Sequence, residues 1–71
     1  MSAFDEDWIA RFFEIADSFA PCYGGKYTVR PSYSHVECVH ETQVGISMRV
    51  PEGGKASEYA AEINRRLKER Q

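Results

Sequence analysis

Gln43-Val44-Gly45-Ile46-Ser47-Met48-Arg49-Val50 is the stretch that decides the fold. Every second residue is apolar, which is the period of a strand with one face buried and one face exposed. Val44, Ile46, Met48 and Val50 are expected toward a core, with Gln43, Gly45, Ser47 and Arg49 facing away. Upstream, Val36 and Cys38 begin a second alternation, and Tyr27 and Val29 alternate with Lys26, Thr28 and Arg30. Three antiparallel strands follow from this. The first two are joined at Arg30-Pro31-Ser32-Tyr33, read as a turn with proline at its second position. The link at Glu41-Thr42 lacks the Asn-Gly or Asp-Gly of a tight hairpin, so the register of the last two strands is the least constrained feature.

On either side of these strands the period changes to that of a helix. Phe4, Trp8, Phe12, Ile15 and Phe19 recur at spacings of four and three, with Ile9, Phe13, Ala16 and Ala20 as an adjoining row. Together they cover about half of the helix circumference at roughly 100° per residue. Glu6, Asp7, Ala10, Arg11, Glu14, Asp17 and Ser18 occupy the other half. Ser2 and Asp5 suit a capping box, and Pro21 with Gly24-Gly25 stops the helix. After Pro51 and Gly53-Gly54, Ala56, Ala60, Ile63 and Leu67 lay a narrow stripe on a second helix, with Tyr59 on its shoulder. Glu62 with Arg66 and Arg65 with Glu69 are charge pairs at helical spacing.

The expected architecture is a single α+β domain over residues 1–71, ordered α-β-β-β-α, with a three-stranded antiparallel sheet and both helices packed on one face. The other sheet face is left open and carries Lys26, Thr28, Arg30, Ser47 and Arg49. At 71 residues there is room for one core and little for an elaborate substrate cavity. A hydrophobic fraction of 42%, with 13% aromatic, excludes a disordered chain. The net charge of −2 supplies no overall field toward nucleic acid or an anionic membrane. No apolar run approaches the roughly 20 residues of a membrane span, and the acidic N-terminus is unlike a secretory signal, so the expected location is cytoplasmic.

No reaction is spelled out. His35, Cys38 and His40, with Cys22 upstream, form the only cluster with metal-binding character, but no paired knuckle spacing joins them and Cys38 between Val36 and Val39 reads as a small core residue. A nucleophilic role for Cys38 with His40 and Glu41 lacks a positive setting. No glycine-rich loop has phosphate-cradling spacing. The chain is therefore read as non-catalytic, with no cofactor and no metal.

The expected function is that of a small interaction protein, an inhibitor or regulator of the phage or mobile-element type that binds a larger protein complex. Its contact surface is expected on the first helix. Trp8, Ile9 and Phe13 would form an apolar shoulder, also suited to a homodimer, and Glu6, Asp7, Glu14 and Asp17 an acidic row able to imitate a phosphate backbone. Core filling is the plainer account of that shoulder, and solvation the plainer account of the row. The alternative is a nucleic-acid-binding module using Lys26, Arg30 and Arg49 on the open sheet face with Arg65 and Arg66 on the last helix. The element order is that of double-stranded RNA-binding domains, but Gly53-Gly54-Lys55-Ala56-Ser57-Glu58 offers one lysine and an acid where a basic run is needed.

Overall fold

The computed structural model describes residues 3–19, 26–40 and 43–70. It contains α1 (Glu6–Phe19), β1 (Thr28–Ser32), β2 (His35–His40), β3 (Gln43–Arg49) and α2 (Ala56–Glu69). The strands form one antiparallel sheet in the order β1-β2-β3. Both helices contribute to a single core with the sheet, so the α-β-β-β-α reading of the sequence holds. Ser2, the Pro21 and Gly24-Gly25 stop signal, Cys22 and the Glu41-Thr42 link lie outside the described residues.

The core accounts for most of the apolar arc on α1, although Phe19, expected within that arc, is 64% exposed. Ile9, Phe12 and Ala16 point into the interior against Val29, Val36 and Cys38 of the sheet and Ala60, Ile63 and Leu67 of α2. Because α1 touches both the sheet and α2, it needs more apolar circumference than a helix packed on a sheet alone. Trp8 stacks on Phe12 with ring centroids 5.5 Å apart, and Phe13 lies under the guanidinium of Arg70 at 5.1 Å. Tyr59, expected on a shoulder, is buried between Trp8 and Phe4, both at 5.1 Å in edge-to-face contact. Its hydroxyl oxygen accepts from the Asp5 N–H at 2.9 Å.

The two helices run in the same direction, since Tyr59 meets Asp5 at one end and Arg70 meets Asp17 at the other. Asp5 is the N-cap of α1, with its carboxylate accepting from the Trp8 N–H at 3.1 Å. The approach to α2 is a turn in which the Gly54 N–H donates to the Pro51 carbonyl at 2.9 Å and Gly53 takes φ 84°. Only glycine enters that region without cost.

The first hairpin differs from its sequence reading. Pro31 belongs to β1, opposite Val36, and the turn lies two residues later at Tyr33-Ser34, closed by the pair Ser32↔His35. Tyr33 stands fully exposed with φ 55°, a backbone region in which a bulky side chain is strained. Pro31 is tolerated because β1 is an edge strand. The same edge is closed from α2. The Asn64 side-chain amide accepts from Val29 N–H and donates to Val29 C=O, both at 2.9 Å, so it pairs with β1 as a neighbouring strand would.

β3 forms the other edge. Between the pairs Glu37↔Ser47 and Val39↔Val44 it carries one residue more than β2, a β-bulge. The extra residue overturns the expected side of Val44. Ile46, Met48 and Val50 face the core as read, but Val44 pairs with Val39 on the opposite face and is 47% exposed. Farther along, the Val50 N–H donates to the Ser34 carbonyl at 2.9 Å, so the carbonyl at the other side of that peptide, from Arg49, points away from β2. That carbonyl accepts from Trp8 Nε1 at 2.9 Å.

A candidate interaction surface on the uncovered sheet face

The register arranges the uncovered face as a grid of three rows, each crossing all three strands. Thr28, Val39 and Val44 form the first row; Arg30, Glu37 and Ser47 the second; Ser32, His35 and Arg49 the third. Adjacent strands lie about 4.8 Å apart and rows about 6.6 Å apart, from the spacing of every second residue in a strand. Polarity is therefore graded along the strands, from an apolar pair of valines, through an ion pair, to a basic end beside the exposed ring of Tyr33. The Arg30 Nε donates to Glu37 Oε2 at 2.9 Å, and this contact, followed by a hydrogen bond from Ser32, holds the Glu37 carboxyl below its ordinary range. Arg49 makes no ion pair among the described residues.

The residues expected to form an interface on α1 are largely engaged inside the domain. Ile9 is 1% exposed and presents no surface to a partner. Phe13 is half-buried beneath Arg70, and Trp8 spends its indole N–H on Arg49. The acidic row is divided. Glu6 accepts both terminal nitrogens of Arg66 at 2.8 Å, and Asp17 accepts from Arg70 at 3.1 Å and from the Tyr27 hydroxyl at 3.0 Å. Asp7 and Glu14 remain on the solvent side, around a shallow hollow of about 510 Å³ also lined by Trp8 and Arg11. Two acids separated by two helical turns, with Arg11 between them, do not reproduce a row of phosphates.

The residues of the nucleic-acid alternative are not brought together. Lys26, Arg30 and Arg49 are exposed at the sheet, whereas Arg65 and Arg66 belong to α2, beyond the opposite face. Those two arginines are also neutralised. Arg65 holds Glu62 and Glu69 at 2.7 and 2.6 Å, and Arg66 holds Glu62 at 2.6 Å in addition to Glu6. The Arg65 and Arg66 hydrogen bonds depress the Glu62 carboxyl to about 2.

His35 stands on the uncovered face and Cys38 on the core side, so alternation separates them. Among the described residues, no group of three or more His, Cys, Asp or Glu side chains gathers as metal ligands do. Cys38 is 1% exposed, and burial, reinforced by Asp17, pushes its thiol up to about 11. It is neutral at ordinary pH and far from nucleophilic. Burial and the hydrogen bond to Asp17 likewise raise the Tyr27 hydroxyl. No described helix is long and apolar enough to cross a membrane.

Sequence reasoning missed the outward pair Val39 and Val44. Gly45 beside Ile46 was the available signal, since a glycine inside an alternating run marks a bulge. Compared with known proteins, the sequence matches no family model, no curated protein and no solved structure.

Proposed function

We propose that the chain is a small non-catalytic interaction protein of the cytoplasm, an inhibitor or regulator that docks on a larger protein complex through its uncovered sheet face. The observation that supports this most is the bulge that turns Val44 out beside Val39. An apolar pair on an otherwise polar face, with Arg30 in the adjacent row and Arg49, without an ion pair among the described residues, in the row beyond, offers a small apolar centre with charged neighbours that fix orientation. Bulges of this kind re-aim side chains where the ladder need not continue. The first helix then serves chiefly to build the core, with Asp7 and Glu14 as a secondary acidic surface.

Affinity capture from extract of the native host tests the reading. Val44→Glu and Arg49→Glu are expected to lose a partner that the wild-type domain retains, with circular dichroism and melting temperature unchanged. Retention by both, together with loss in Asp7→Lys/Glu14→Lys, would move the contact surface to α1. A salt series with duplex RNA and DNA addresses the nucleic-acid alternative. Salt-sensitive binding that disappears in Arg30→Glu/Arg49→Glu would overturn the protein-binding proposal.

A further inference from the structure

We infer that the outer edge of β3 is a docking site for an extended segment of a protein partner, which joins the sheet as a fourth, antiparallel strand and carries a carboxylate at its end beside Arg49. The inference rests on the reading of β3 as part of the contact surface and names the element that the partner brings. The two edges of the sheet are treated differently. The β1 edge is closed at Val29 by the Asn64 amide and carries Pro31, which has no N–H to offer. No described strand pairs with the outer side of β3. The Val50 N–H turns toward β2, and backbone direction alternates along a strand, so the Ser47 N–H and C=O and the Arg49 N–H point outward. The bulge lies nearer Val44, and the pairs from Ser47 to Arg49 are regular, so main-chain pairing falls on that stretch. The Arg49 carbonyl is taken by Trp8 Nε1, which sets the far end of the added strand.

Apolar side chains flank this edge on both layers. Trp8 of α1 meets Arg49 at one end of the sheet, and Asp17 meets Tyr27, beside the row of Thr28, Val39 and Val44, at the other. The helix therefore runs antiparallel to β3, with Phe19 toward the Val44 end. Trp8, Arg11, Ile15 and Phe19 follow at spacings of four and three, a row on the side of α1 opposite the one where Glu6 meets Arg66 of α2. Ile15 is half-buried and Phe19 is 64% exposed. Across the sheet, Val44 is 47% exposed on the uncovered face. Two of the three exposed large apolar side chains among the described residues, Phe19 and Val44, thus bracket one end of one edge. An extended segment sends alternate side chains to the two faces, so one apolar position covers Phe19 and Ile15 and the next meets Val44. The other end is basic. Arg11 and Arg49 make no ion pair among the described residues, whereas Arg30, Arg65, Arg66 and Arg70 each hold a carboxylate. A carboxylate on the partner is the complementary group beside Arg49.

NMR on the ¹⁵N-labelled full chain tests this with a capped synthetic peptide of alternating valine and threonine that begins with aspartate, titrated to millimolar concentration. Antiparallel addition sets that aspartate beside Arg49. At saturation the Ser47 and Arg49 amides are expected to exchange with solvent at least about five-fold more slowly. The same peptide N-methylated at the positions that face β3 is expected not to bind, because it has lost its main-chain donors. Lysine in place of the aspartate should weaken binding about two- to five-fold, and Arg49→Glu should reverse the preference between the two peptides. Phe19→Ser should weaken binding about ten-fold. Both substitutions are at exposed positions, and circular dichroism is expected to be unchanged. No slowing at Ser47 with millimolar peptide, equal binding of the N-methylated peptide, or shifts confined to Thr28, Glu37 and His35 would each overturn the inference. So would protection of Ser47 that grows with protein concentration in the absence of peptide, which would give the edge to a second copy. If no peptide pairs with β3 but partner capture still depends on Val44, the inference fails and the functional proposal stands. If the peptide pairs with β3 and capture is indifferent to Val44 and Arg49, the functional proposal fails and the edge site stands.

Discussion

Replacing Asn64 by alanine tests whether α2 is hydrogen-bonded into the sheet or merely rests on it. The substitution removes two hydrogen bonds of 2.9 Å and leaves both main-chain groups of Val29, itself 4% exposed, without their partner. Each such bond has a net worth of about 0.5–1.5 kcal/mol, and partly buried groups left unsatisfied raise the cost. The expected loss is about 2–3 kcal/mol. In a domain of this size that lowers the melting temperature by roughly 10–20 °C, at ~4–8 °C per kcal/mol. Urea unfolding followed by circular dichroism measures the loss, and amide exchange of Val29 by NMR locates it. Asn64→Asp preserves the acceptor for Val29 N–H but sets a carboxylate oxygen against Val29 C=O, so it is expected to be at least as destabilising as alanine. An alanine variant within about 0.5 kcal/mol of wild type, with Val29 still protected, would refute the pairing, since changes of that size are ordinary for surface positions.

Gly54→Ala places a Cβ 2.7 Å from Tyr59 Cε2 and 3.1 Å from the Pro51 carbonyl oxygen. Overpacking of this kind costs about 1–3 kcal/mol, and denaturant titration should show it. Glu62 has a folded pKa of about 2, below its ordinary 4.5, so the folded state binds the proton less readily. Its contribution is present above pH 4.5 and lost as pH falls toward 2, and Glu62→Gln should flatten that part of the acid-stability profile. Cys38 has the opposite sign. With its pKa raised from 9.0 to about 11, its contribution is complete below pH 9.0 and lost as pH rises through 11. In a Cys22→Ser background, a thiol reagent at pH 8 should therefore react with Cys38 only as fast as the protein unfolds. Tyr33→Asn should relieve the φ 55° strain and raise stability by about 0.5–1 kcal/mol, read from the melting temperature.

The element order was legible because alternation over Gln43–Val50 and helical spacing at Phe4–Phe19 and Ala56–Leu67 are properties of local sequence. What lay beyond reach depended on where distant segments meet. Val44 changed sides because one strand holds an extra residue relative to its neighbour; Gly45 hints at such a bulge, but only the pairing with β2 fixes it. The apolar shoulder of α1 pointed to an interface only while α2 was absent from the picture; Arg70 over Phe13 accounts for it. Glu6 and Asp17 are indistinguishable from Asp7 and Glu14 by residue type, but α2 runs alongside only the first two. Pro31 marked a turn by propensity, whereas an outer strand whose N–H has no partner to lose accommodates it equally well.

The Asn64 contact ties protection of the β1 edge to a single docking event. An unpaired strand edge is a template for further strands, and the group that blocks it here belongs to a helix rather than to the sheet. The blockade lasts only while α2 is seated. Detachment of that helix, with the three strands still paired, would expose the Val29 peptide groups together with the apolar side of the sheet. The species prone to aggregate is then a largely intact sheet without its last helix, and its population is set by the free energy of releasing α2 rather than by that of global unfolding.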